Sequence, residues 1–190
     1  MILRMLRVTL RVALAGFMLL LLTPTPSQAE EIRLNSIGVR GGVSGSSPIG
    51  KKETEYFQQY DVMANWSLPW ELYSESGWGV GTRVMGSVGA VTAAGDTAFV
   101  STIVPGFVFG KKDGWLSLEI GGGFGFFSQH QFAHQNLGGV FQFVWDNAIR
   151  AKVYKGIGIG YWFHHTSDAS LYGDNGRGYD LHMIEISYRF

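Results

Sequence analysis

Residues 179–190 read YDLHMIEISYRF, and this stretch decides the fold. Side chains along a β-strand alternate between two faces, and here the two faces differ. The apolar face carries Ile184, Ile186, Tyr188 and Phe190. The other face carries Met183, Glu185, Ser187 and Arg189. Apolar residues facing outward and polar residues facing inward are typical of a transmembrane β-barrel, whereas a soluble sheet would bury the apolar face.

The start of the chain predicts export. Three arginines precede an apolar run over residues 12–22, and Ser27-Gln28-Ala29 has the small-x-small form of a signal-peptidase site. The run is too short for a transmembrane helix. We therefore predict a signal peptide over residues 1–29 and a mature barrel over residues 30–190.

The composition narrows the class of protein. The chain has no cysteine, which excludes disulfide and thiolate chemistry. Its 27 glycines and 14% aromatic residues fit a bacterial outer-membrane barrel, because no stretch after the signal is apolar enough for a membrane helix. Without the three signal arginines, 12 of the 15 basic residues remain against 15 acidic ones. This balance gives no indication of nucleic-acid binding.

Eight segments of the mature chain have strand character and are separated by turn residues. Seven of them cover residues 32–45, 55–68, 77–91, 98–109, 115–128, 137–153 and 179–190; the other follows the turn at residues 154–156. Residues 129–135 and 170–178 are predicted loops. The predicted fold class is therefore all-β, an eight-stranded antiparallel transmembrane β-barrel. Side chains fill the interior of so small a barrel, so Glu119, Glu185 and Arg189 are expected to plug it.

The candidate catalytic residues lie at the end of the seventh segment. His165 and Ser167 are two residues apart, so their side chains point in one direction, roughly 7 Å apart at the backbone. An imidazole can lean across that gap and activate a hydroxyl as a nucleophile. Both follow an apolar ladder that includes Ile159, Tyr161 and Phe163, so they are expected to face lipid. A serine in that setting would attack a lipid.

The orientation of the barrel follows from its even strand number. Both termini of such a barrel face the periplasm, so the seventh strand runs outward. His165 and Ser167 are then expected at the bacterial cell surface, level with the outer leaflet that holds lipopolysaccharide.

The sequence His165-Thr166-Ser167-Asp168-Ala169, followed by Asn175-Gly176, resembles the His-x-Ser-Asn-Ala…Asn motif of the PagL family of outer-membrane lipid A 3-O-deacylases. Gln135-Asn136-Leu137-Gly138 also fits that family. The family folds as eight-stranded barrels with a lipid-facing Ser-His-Glu triad. It hydrolyses the ester that holds the 3-hydroxyacyl chain at position 3 of lipid A. The resemblance implies that Ser167 is the nucleophile and His165 the base.

The acid of the triad has two candidates. The spacing between His and Glu in the PagL family, counted forward from His165, leads to Tyr179. The distance of that Glu from the C-terminus, counted back from Phe190, leads to Asp180. Asp180 shares the apolar face of its strand and is expected nearly opposite His165, about 5 Å away at Cβ. Asp168 stands where the family usually has Asn, and it points away from the face of Ser167. We therefore predict Asp180 as the acid and keep Asp168 as the alternative.

The remaining expectations concern the oxyanion and the partners. Asn175 is the candidate side-chain donor, helped by a backbone N–H at Asp168 or Ala169. The mechanism requires no cofactor and no metal. Lipid A in lipopolysaccharide is the expected substrate and the outer membrane the expected environment, with a homodimer left open.

Two other functions fit parts of the sequence. A non-catalytic barrel, structural or adhesive, would share every feature except the His-Ser-Asn set. A PagP-like lipid A acyltransferase would also use His and Ser. That enzyme would need a hydrocarbon-lined interior, and the small and charged inward residues argue against one.

Overall fold

The computed structural model describes residues 32–45, 54–173 and 176–190. The predicted signal peptide and Asn175 lie outside the described residues. The strands are β1 (Arg33–Ser44), β2 (Phe57–Tyr73), β3 (Trp78–Ala93), β4 (Asp96–Lys111), β5 (Leu116–Phe127), β6 (Gln131–Phe132), β7 (Gln135–Asn136), β8 (Phe141–Tyr154), β9 (Ile157–Ser167) and β10 (Tyr179–Arg189). No helix within these ranges is long and apolar enough to cross a membrane.

Eight of the strands close into an antiparallel barrel in the order β1-β10-β9-β8-β5-β4-β3-β2, which confirms the predicted fold class. The two remaining strands, β6 and β7, pair with each other in a short hairpin between β5 and β8. The prediction of residues 129–135 as a plain loop is therefore wrong, because this segment contains β6 and the first residue of β7.

Two predicted strand boundaries are also wrong. Strand β2 continues past Pro69 to Tyr73, because a register shift between Leu68 and Glu71 takes the proline out of the hydrogen-bonded ladder. Strand β8 begins at Phe141 instead of Leu137. Gly138 has a φ of +95°, which is incompatible with an extended strand.

Two groups of charged side chains fill the barrel interior. Arg150 donates hydrogen bonds to Glu119 at 2.9 Å and to Glu185 at 2.7 Å. Arg40 donates to Asp61 at 2.8 Å and forms an ion pair with Asp146 at 3.4 Å. All of these side chains are buried, and buried charges are tolerated when they are paired. Glu119 and Glu185 are therefore part of a polar plug, as predicted.

An indole ring connects the two groups. The Trp162 N–H donates to the Glu185 carboxylate at 2.5 Å. The guanidinium groups of Arg40 and Arg83 each lie 5.3 Å from the centre of the Trp162 ring. Cation–π contacts of this kind are strongest where water is excluded.

An apolar cluster lies inside the end of the barrel where β9 ends and β10 begins. The rings of Phe57 and Tyr179 stack at 4.5 Å, and Phe132 from β6 meets Phe57 edge-on at 5.3 Å. The rings of Phe127 and Tyr179 form a T-shaped contact at 6.3 Å. Tyr179 is thereby fixed inside the barrel, so the next residue, Asp180, must point outward.

Candidate active site

His165 and Asp180 form a hydrogen-bonded pair on the outer surface of the barrel. They lie directly opposite each other on β9 and β10, and His165 Nδ1 donates to Asp180 Oδ1 at 2.5 Å. Asp180 is completely buried although its strand position faces outward, and the His165 side chain is 15% exposed. The Asp180 carboxylate holds the imidazole in the tautomer that has its proton on Nδ1. It leaves Nε2 as the nitrogen that can accept a proton.

Ser167 follows His165 by two residues on the same outward face. Its neighbour on β8 is Phe143, and on the opposite side the chain passes at Gly178. A Cβ at Gly178 would overlap the Thr166 carbonyl and approach the Ser167 Cβ to 3.1 Å. Ser167 therefore lies between Phe143 on one side and the backbone at Gly178 on the other.

The outer surface around His165 and Ser167 is apolar. Trp145 lies opposite His165 on β8, just as Phe143 lies opposite Ser167. Both aromatic side chains are exposed on the outside of the barrel. The imidazole and the hydroxyl are thus on the face that a barrel turns toward lipid.

A strained turn follows the serine. The N–H of Leu171 donates to the Asp168 carbonyl at 2.8 Å, and the two residues between them have left-handed backbones, with φ of 47° at Ala169 and 62° at Ser170. This is the geometry of a type I′ turn, which non-glycine residues adopt at a cost of about 1–3 kcal/mol each. The Ala169 N–H meets no acceptor within the described ranges. The backbone N–H two residues after Ser167 is therefore an unused donor among the described residues.

Asp168 points into the protein, away from His165. Its side chain is buried, and its Oδ1 accepts a hydrogen bond from the Ser170 N–H at 3.2 Å. Its other oxygen lies against the backbones of Gly138 and Gly176, where any Cβ would overlap it. The structure thus brings Asp180, and not Asp168, to the candidate base.

The other histidines have different partners. His164 faces the interior, where it donates to Asp146 at 2.6 Å and contacts the Thr166 hydroxyl at 3.1 Å. His182 shares a 2.6 Å hydrogen bond with the Tyr161 hydroxyl. In the described part of the chain, no group of three or more His, Cys, Asp or Glu side chains is arranged to hold a metal ion.

The sequence of the chain matches a family model described as lipid A 3-O-deacylase (PagL) over residues 58–189, which is more than half of its length. The chain belongs to the PagL family. Members of this family are outer-membrane hydrolases that remove an acyl chain from lipid A, so this protein is a lipid A 3-O-deacylase of the β-barrel type.

The barrel also resembles solved structures. It superimposes on the crystal structure of the outer membrane enzyme PagL with a TM-score of 0.65 and 18% identity, covering 82% of this chain and 99% of that one. The Yersinia pestis outer membrane protein Ail in a phospholipid nanodisc gives a TM-score of 0.41 and 11% identity, covering 83% and 100%. No curated protein sequence matches the chain significantly. At 18% identity, the PagL structure supports the shared fold.

The structure adds contacts around the PagL-family motif that the sequence does not show. The side chain of Gln135 in β7 bonds to the backbone at Gly178, beside Ser167. Gly138 closes on Asp168 from the same loop. These contacts join segments that are far apart in the chain, and no spacing or periodicity in the sequence predicts them.

Proposed function

We propose that this lipid A 3-O-deacylase acts through Ser167 as nucleophile, His165 as general base and Asp180 as the acid that orients the base. The observation that carries the proposal is the 2.5 Å hydrogen bond from His165 to Asp180 on the outward face, two residues from Ser167. A buried carboxylate that holds an imidazole beside a hydroxyl is the arrangement that activates serine in hydrolases.

The reaction proceeds in two acyl transfers. His165 Nε2 takes the proton of the Ser167 hydroxyl as Oγ attacks the carbonyl carbon of the ester at position 3. The tetrahedral intermediate collapses, and the sugar hydroxyl leaves with the proton from His165. Water, deprotonated by the same imidazole, then attacks the acyl-enzyme and releases the 3-hydroxy fatty acid and free Ser167.

The oxyanion of both intermediates needs donors that are in place before the reaction. We assign one of them to the Ala169 N–H, in the turn that follows Ser167. Removal of one such donor costs about 3–4 kcal/mol in well-studied hydrolases. Asn175 stays the predicted second donor.

The proposal extends to location. A barrel of even strand number has both termini in the periplasm, so the end that carries Ser167 would be level with the outer leaflet. Lipid A in that leaflet would reach the site directly. Removal of residues 1–29 after export is also part of the proposal.

Mass spectrometry of lipid A from cells producing the protein tests the triad. Wild type should remove one ester-linked 3-hydroxyacyl chain, and Ser167→Ala and His165→Ala should leave lipid A intact. Ser170→Ala is the matched control, because it removes a neighbouring hydroxyl and should not change the product. Full deacylation by a folded Ser167→Ala variant would refute the assignment.

A further inference from the structure

Gln135 is a buried side chain at the meeting point of three separate segments. Its amide oxygen accepts hydrogen bonds from the Thr54 N–H at 2.8 Å and the Glu55 N–H at 3.2 Å. Its amide nitrogen donates to the Gly178 carbonyl at 2.9 Å and to the Arg177 carbonyl at 3.5 Å. Backbone N–H groups only donate and carbonyls only accept, so the orientation of this amide is fixed by its surroundings.

The segment that Gln135 holds lies against the nucleophile. The β9–β10 ladder reaches the Thr166–Tyr179 pair and does not extend to Gly178. The chain before Tyr179 is instead tied to the β6–β7 hairpin, since the Arg177 N–H also donates to the Asn136 carbonyl at 2.8 Å. This hairpin therefore determines where the backbone runs beside Ser167.

We infer that Gln135 is a positioning residue for the reaction, and the inference rests on the proposed Ser167-His165-Asp180 triad. By holding the Gly178 carbonyl, the amide fixes the start of β10 two residues before Asp180. It also fixes the backbone at Gly178, which runs beside Ser167. A displacement of about 1 Å in such a support can cost roughly a hundredfold in rate.

Gln135→Glu is the informative substitution. It keeps the shape of the side chain and an oxygen for the Thr54 and Glu55 N–H groups, but it places a carboxylate oxygen against the Gly178 carbonyl. Gln142→Glu is the matched control. Gln142 is also buried at this end of the barrel, and its amide also donates to two carbonyls, those of Leu137 at 3.0 Å and Gly139 at 2.6 Å.

The experiment measures kcat and KM on lipid A in detergent micelles, together with the thermal unfolding midpoint of each variant. Both glutamate variants should lose stability to a similar extent. For Gln135→Glu we expect kcat to fall about a hundredfold with KM nearly unchanged, because the loss is confined to the transition state. The kcat of Gln142→Glu should stay within about threefold of wild type.

A milder variant covers the case in which Gln135→Glu does not fold. Thr54→Val removes only the Thr54 hydroxyl, which lies 3.2 Å from the Gln135 amide oxygen, and it should lower kcat several-fold without a change in KM. Equal losses of kcat in Gln135→Glu and Gln142→Glu, or wild-type turnover in folded Gln135→Glu, would overturn the inference. Ser167→Ala, assayed in parallel, distinguishes failure of the proposed triad from failure of the inference about Gln135. Activity in Ser167→Ala would refute the triad. An inactive Ser167→Ala together with a fully active Gln135→Glu would refute only the role of Gln135.

Discussion

Replacing Asp180 by asparagine tests the acid of the proposed triad. The substitution keeps the size of the side chain and removes its charge. In the Asp180→Asn variant, the new side-chain amide can donate to His165 Nδ1, which would leave the imidazole proton on Nε2. In that tautomer Nε2 already carries a proton and cannot accept another, so the serine stays unactivated.

The size of the loss follows from the geometry. The imidazolium formed in the transition state and the Asp180 carboxylate would have charge centres roughly 4 Å apart. At an effective dielectric constant near 20, their attraction is about 4 kcal/mol, or roughly a thousandfold in rate. The wrong tautomer adds to this, so we expect a loss of about 10³–10⁴ in kcat. Asp180→Glu should retain part of the activity, because it keeps the charge and PagL-family enzymes use Glu.

Asp168→Asn is the matched control, since it makes the same chemical change one residue after Ser167. Its amide oxygen can still accept from the Ser170 N–H, so the turn should survive and the rate should fall no more than about threefold. Turnover on lipid A micelles is compared at equal amounts of folded protein, judged by the heat-modifiable mobility of the barrel. Wild-type turnover in Asp180→Asn, with a large loss in Asp168→Asn, would refute the assignment of the acid.

Three further substitutions and one analysis of the mature protein test the other parts of the structure. Arg150→Met removes the guanidinium shared by two buried glutamates. It should lower the free energy of unfolding, measured by urea titration in detergent, by about 3–5 kcal/mol. An unchanged urea midpoint would show that the plug does not stabilise the barrel. Gly138→Ala, at a φ of +95° and against the Asp168 carboxylate, should lower the thermal midpoint, and a wild-type midpoint would contradict the close packing of Gly138 on Asp168. Ser170→Gly should keep wild-type turnover and an equal or higher thermal midpoint, because it relieves a left-handed backbone and keeps the N–H; a lower midpoint would argue against strain in the turn. N-terminal sequencing of the membrane form should begin at Glu30, and a retained leader would contradict the predicted cleavage.

The fold could be predicted from the sequence because barrel strands carry their own pattern. The alternation in residues 179–190 identifies the lipid-facing side of β10. The same two-residue period puts Asp180 and His165 outward and Asp168 inward. The count of eight strands needed only turn residues and chain length. These features are local, so one sequence contains them.

The errors have a common physical cause. Residues 137–140 continue an apolar pattern, but the left-handed backbone at Gly138 is incompatible with an extended strand, and β8 begins only at Phe141. Pro69 is a reasonable place for a strand to end, but a register shift lets β2 continue past it. The bond between Gln135 and Gly178 joins residues 43 apart, and it depends on how two loops fold over the same end of the barrel. Periodicity does not encode such long-range contacts.

The outward position of His165 and Ser167 has a kinetic consequence. A site on the outer wall of a plugged barrel receives its substrate by lateral diffusion within the leaflet, so the effective concentration is the number of lipid A molecules per unit of membrane area. Diluting lipid A with inert phospholipid in the same vesicle should therefore slow the enzyme. Adding more vesicles of unchanged composition should leave the rate per enzyme nearly constant once every enzyme is inserted. The amount of neighbouring lipid thus becomes a rate-setting variable, and remodelling of the leaflet would slow as its own substrate is consumed.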